Sequence, residues 1–175
     1  MRGITRGAVA CLALAAFLAS GPAKADPPWA ASRTTRYFAL RLRPGEDLLA
    51  SLKRFAKDRG LQAAFVASCA GSAMRTSVRY ANQPVASVRE GHFEIVSLTG
   101  TLSADGAHVH AAFADSTGAT YGGHLMDGTR IYTTAEIVLG ELEGVSFARE
   151  PDSTYGYREL VPRPRERSGA PADGR

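Results

Sequence analysis

The sequence predicts an α+β domain with a largely antiparallel sheet. Two observations carry that prediction: one early stretch repeats with helical period, and nearly everything after it alternates with strand period between turn residues. The size agrees, since 175 residues at 45% hydrophobic and 22% charged support one packed core and leave little room for a second. A doubly wound fold would need more helices than this chain offers.

Taken in order, residues 1–25 read as a secretory signal peptide: a basic start with Arg2 and Arg6, an apolar run from Ala8 to Ala19, and the small-x-small triplet Ala23-Lys24-Ala25. The apolar run is about a dozen residues, short of the roughly 20 that span a bilayer. Cys11 lies inside that run rather than after it, and Arg2 and Arg6 are not adjacent, so neither a lipoprotein nor a twin-arginine signal is expected. Cleavage after Ala25 predicts a secreted, periplasmic product without a membrane span, starting at Asp26. In that product Cys69 is the only cysteine, so no intrachain disulfide forms.

Residues 26–36 are expected to be a flexible lead containing Pro27 and Pro28, residues 37–150 the folded domain, and residues 151–175 a Pro/Arg-rich extension, mobile from about 162. The formal charge of +4 is concentrated at the ends. Setting aside the three basic groups of residues 1–25, and the four Arg and two acids of residues 162–175, leaves 14 basic and 15 acidic groups in residues 26–161. A body of net charge −1 makes nucleic acid an unexpected partner, and Arg163-Pro164-Arg165 lacks the Arg-Gly-Arg-Pro core of an AT-hook.

Within the domain, Tyr37-Phe38-Ala39-Leu40-Arg41-Leu42-Arg43 alternates like a strand and stops at Pro44-Gly45. Leu48, Leu49, Leu52, Phe55 and Ala56 then recur at helical spacing. Acids at Glu46 and Asp47, bases toward the end and Gly60 as a stop predict a helix over 46–59. Candidate strands follow at 63–71, 76–81, 92–103, 108–115, 119–125, 129–139 and 145–148, divided by turn signals such as Asn82-Gln83-Pro84 and Asp127-Gly128.

The chemistry rests on histidines. In a strand, residues i and i+2 share a face, so His108-Val109-His110 presents two imidazoles at a spacing suited to one metal ion. A turn around Asp115-Ser116-Thr117-Gly118 is positioned to return His124 beside them, and Gly122-Gly123 lets the backbone or a ligand come close. Three imidazoles with an open position suit a divalent metal, zinc foremost. A His-x-His pair in a strand is also compatible with plain surface polarity.

Glu136, an acid within an apolar strand, is open to three uses: a further ligand or orienting partner, an acid/base catalyst beside the metal, or an ion pair with an arginine such as Arg130. His92 reads as structural and Cys69 as a small buried hydrophobe. Cupins also use His-x-His but place a Glu a few residues later, where Ala111, Ala112, Phe113 and Ala114 stand here. No phosphate-binding Gly-rich loop and no Gly-x-Ser-x-Gly elbow occurs.

Several segments together resemble the plant and prokaryote conserved (PPC) domain: Ala39-Leu40-Arg41-Leu42-Arg43-Pro44-Gly45-Glu46-Asp47, Ala67-Ser68-Cys69-Ala70-Gly71-Ser72, Gly91-His92-Phe93-Glu94-Ile95 through Ser103, His108-Val109-His110, Gly122-Gly123-His124-Leu125 and Thr133-Thr134-Ala135-Glu136-Ile137. The resemblance covers roughly residues 37–147. It implies a curved, mainly antiparallel sheet packed with helix, a homotrimer, and a metal site at His108, His110 and His124. Plant members join the domain to AT-hooks. This chain departs from them in having no AT-hook, in carrying His92 where they carry Arg, and in its export signal, all of which count against a DNA-binding role. Three functional readings follow: an exported metal-binding, oligomeric module; a metal-dependent enzyme on a small molecule with Glu136 as acid/base; and, disfavoured by those departures, a DNA-binding protein by family association.

Overall fold

A computed structural model describes residues 29–165. The predicted signal peptide, its cleavage point and residues 166–175 lie outside the described residues. Strand β1 (Thr35–Leu42) leads into helix α1 (Leu48–Asp58). Then come β2 (Ala64–Arg79), β3 (Ser87–Ser103), β4 (Gly106–Ala114), β5 (Thr120–Leu125), β6 (Arg130–Leu142), β7 (Val145–Pro151) and β8 (Arg158–Pro164). Six strands form one antiparallel sheet in the order β1-β6-β2-β3-β4-β5. β5 also pairs with the far end of β2 through Val78↔Leu125 and Arg79↔His124, so the sheet curls back on itself. The α+β architecture and the mainly antiparallel sheet are as expected. No helix among the described residues is long and apolar enough to cross a membrane.

Leu48, Leu52 and Ala56 of α1 are fully buried and join Leu102, Val109, Phe113, Leu125, Ile131 and Leu139 from the concave side of the sheet in one core. The helix begins two residues later than 46 because Asp47 is its cap: one carboxylate oxygen accepts from the Ala50 N–H at 3.0 Å. The other accepts from the Gly128 N–H at 2.7 Å, tying the helix start to the β5–β6 turn. Its end is a Schellman motif, with Gly60 at φ +61°, the Gly60 N–H on Lys57 O and the Leu61 N–H on Ala56 O. Asp47→Ala is expected to cost about 2 kcal/mol in a urea melt, at the top of the range for a lost cap because a second acceptor goes with it.

Three expectations are corrected. Segments 63–71 and 76–81 are one strand, β2, because register irregularities near Ser68 and Ala73 let it bend without ending. The extension, expected to be mobile from about 162, is paired as far as Pro164, since β8 runs along β7 from Val145↔Pro164 to Pro151↔Arg158. Its prolines sit in a strand with only one neighbour, where a missing N–H is tolerated. The hairpin is anchored by Ala63, Val145 and Phe147, with Leu142 and Leu160 against them. The lead is also held at its end: the Ser32 hydroxyl donates to Glu143 O at 2.7 Å, and Thr35 already belongs to β1.

Candidate metal centre

Strand alternation decides which way β4 presents its residues. Val109, Ala111 and Phe113 are buried in the core, which turns His108 and His110 to the opposite face of the sheet. β5 then runs antiparallel with His124 directly across from His110. The paired glycines before it are required by space: a Cβ on Gly122 would lie 2.5 Å from Ala111 O, and one on Gly123 2.6 Å from Arg79 O. β5 is therefore wedged between β4 and the end of β2, and this sets where His124 stands.

The three rings form a triangle with centroid separations of 5.1, 5.0 and 5.5 Å. One nitrogen from each lies within 4.8 Å of the others, and the Nε2 atoms of His108 and His110 are 3.2 Å apart. With zinc–nitrogen bonds of 2.0–2.1 Å, the edge of a tetrahedron is about 3.3 Å. The His108–His110 pair already has that spacing, and His124 stands within 4.8 Å of both. Three nitrogen donors leave one tetrahedral position open.

Electrostatics favours the neutral, ligating form of two of the three. Burial lowers the His124 pKa, helped by the positive charge of His108, Arg79, His110 and Arg149, to about 4. His108 is lowered for the same reason, burial first and then Arg149 and His110, with Glu159 opposing. Between the ordinary histidine pKa and about 4, unfolded chain carries a proton on residue 124 that folded metal-free protein does not. Metal-free protein is thus expected to lose stability as pH falls through that window, checked by urea melts near pH 7 and pH 5; His124→Gln should flatten the difference.

The structure does not bring Glu136 to this centre. It is exposed on β6, opposite Arg41 of β1 and Ala70 of β2, whereas the imidazoles sit on β4 and β5. Arg130, its suggested partner, instead donates to Gly45 O at 3.4 Å. His92 stacks on Tyr132 at 4.1 Å, in keeping with a structural role. Cys69 is half-buried, and burial pushes its thiol up to about 11, which suits an inert packing residue.

A cleft of about 570 Å³ opens beside His108 and His124. Its other walls include Arg79 at the end of β2 and Arg149, Arg158 and Glu159 from the β7–β8 hairpin. Sequence reasoning passed over these four residues. The apolar pair Leu160-Val161 was the one available strand signal, too short to stand alone and followed by Pro162 and Pro164.

The sheet order and the outward-facing imidazoles can be set beside known proteins. The model of the Plants and Prokaryotes Conserved (PCC) domain matches residues 30–143. The chain belongs to this family. A PCC-like stretch of the bifunctional protein GlmU from Synechococcus sp. (strain JA-3-3Ab) is 47% identical over 125 residues, which is 71% of this chain and 20% of that protein. The chain thus spans about a fifth of the length of that curated relative. A hypothetical protein from Salmonella superposes with a TM-score of 0.76 at 42% identity, covering 78% of this chain and 99% of the other. A protein from Archaeoglobus fulgidus described as metal-containing superposes with a TM-score of 0.62 at 28% identity, over 72% of this chain and 93% of that one. The β7–β8 hairpin begins beyond the residues that the PCC model matches.

Proposed function

We propose that this protein is an exported member of the family that holds one divalent metal ion, zinc by preference, on His108, His110 and His124, and that it works as an oligomeric binding module. The observation that carries the reading is the triangle of three imidazoles with the His108 and His110 nitrogens 3.2 Å apart. A donor set of three neutral nitrogens suits zinc, copper, nickel or iron better than magnesium or calcium. When bound, such an ion supplies a Lewis acid with an open position. The chain's own contribution is to hold two imidazoles on one strand face and the third across the ladder, beside a cleft of ligand size.

The homotrimer implied by the family resemblance belongs to the same proposal. Val88 and Val96 on β3 and Tyr132 on β6 are large apolar side chains left exposed on one chain, the kind of surface that assembly covers. Export rests on the signal-peptide pattern of residues 1–25. The enzymatic alternative loses its acid/base, since Glu136 stands on other strands than the imidazoles.

Elemental analysis of untagged protein purified from the periplasm, with mass by light scattering on the same sample, tests the reading. Near one metal ion per chain in a trimer is the expected result. A metal-free preparation that takes up no zinc on reconstitution overturns the centre, and a monomer overturns the assembly.

A further inference from the structure

The cleft beside the imidazoles carries a charge pattern that the metal centre does not require. Arg149 reaches back from β7 and donates to the Thr101 hydroxyl at 2.8 Å, and Thr101 is the ladder partner of His108. Arg158, at the start of β8, donates to the main-chain oxygen of Arg149, which holds its guanidinium against β7. Arg79 is the ladder partner of His124 on the other side and donates to Gln83 O at 3.5 Å. None of the three closes an ion pair among the described residues. Glu159 and Asp105 also line the cleft, and Glu159 is near enough to offset part of the desolvation of Arg149. The walls thus set three guanidinium groups against two carboxylates, before a divalent cation adds its own charge.

Holding Arg149 half-buried beside two imidazoles disfavours its charge, since burial lowers its pKa. A guanidinium held there by its bond to the Thr101 hydroxyl keeps its other N–H groups as a pre-arranged donor fork for a planar or tetrahedral oxyanion. The cleft's 570 Å³ is the size of a small-molecule pocket and far exceeds an inorganic ion.

We infer that the cleft takes a small organic anion whose carboxylate or phosphate group is held by Arg149 and Arg158 while its other end reaches the three-imidazole centre. This rests on the metal-centre reading and adds the ligand class to it. The hairpin that follows the family-matched residues supplies both arginines, so it acts as the specificity wall of the site.

The test uses the mature full-length chain loaded with zinc, its metal content measured before any anion is added. Citrate and inorganic phosphate are titrated separately by calorimetry at constant ionic strength into wild type and into R149Q/R158Q. The two probes separate carboxylate from phosphate recognition. Wild type is expected to bind at least one of them, and the double variant to bind it about 10- to 100-fold more weakly with its zinc content unchanged. Zinc-loaded wild type that binds neither probe at low-millimolar concentration, or a folded double variant that binds as well as wild type, overturns the inference and leaves the metal centre standing. R149K/R158K guards against misfolding: it keeps the charge but not the fork, and should recover part of the affinity. Absence of zinc at the first step overturns the metal centre and the spanning ligand with it.

Discussion

Replacing His110 or His124 by alanine is expected to abolish stoichiometric metal binding. A tetrahedral zinc site is worth about 10–16 kcal/mol shared among its ligands, so losing one of three imidazoles should weaken affinity about 100- to 1000-fold. A competitive chelator titration measures this directly. The strain-free control is His92→Ala, whose ring stacks on Tyr132 away from the centre and whose loss should leave metal content at the wild-type level. The same site makes a second readout possible: metal at about 100 times its dissociation constant should stabilise wild type by about 2.7 kcal/mol, and the His110 and His124 variants should show almost none of that gain. Full metal content in both variants would sink the centre.

Gly100→Ala is expected to damage both the fold and the centre. Gly100 sits at φ +152° on β3, opposite Val109 of β4. A Cβ there would lie 2.2 Å from His108 O and 2.6 Å from Val109 Cα, both backbone atoms that move only if β4 moves. Since β4 carries two of the three imidazoles, the steric cost and the loss of geometry come together. Unfolding in urea should show a loss of at least about 3 kcal/mol, with metal affinity falling alongside. Gly106→Ala separates the two causes: its φ of +153° is nearly the same, but nothing lies within 4 Å of the added Cβ. It should pay only the conformational cost, about 1–2 kcal/mol, and keep the metal. Equal stability of the two variants would show that the crowding against β4 is not real.

Much of this was legible locally. The helix announced itself by its apolar spacing and by Asp47 and Gly60 at its ends, because caps and periodicity are properties of a few adjacent residues. The two imidazoles of His108 and His110 share a face for an equally local reason, the two-residue repeat of a strand. Glu136 was misplaced for the opposite reason. An acid in an apolar run signals an unusual position, yet which strands flank β6, and therefore what faces Glu136, depends on a sheet order in which β6 sits between β1 and β2.

By itself, then, the sequence determined the fold class, most of the strand run as far as β7, the shared face of two imidazoles and the family. Only the tertiary structure decided that β5 closes against both β4 and β2, which puts His124 opposite His110 and Arg79 beside it. It also decided that residues 158–164 return as a strand along β7, carrying Arg158 to the cleft where Arg149 already meets Thr101. The physical reason is range. Periodicity and capping are written in neighbouring residues, while ladder register is set by turns, glycine clearances and core packing that join residues far apart in the chain.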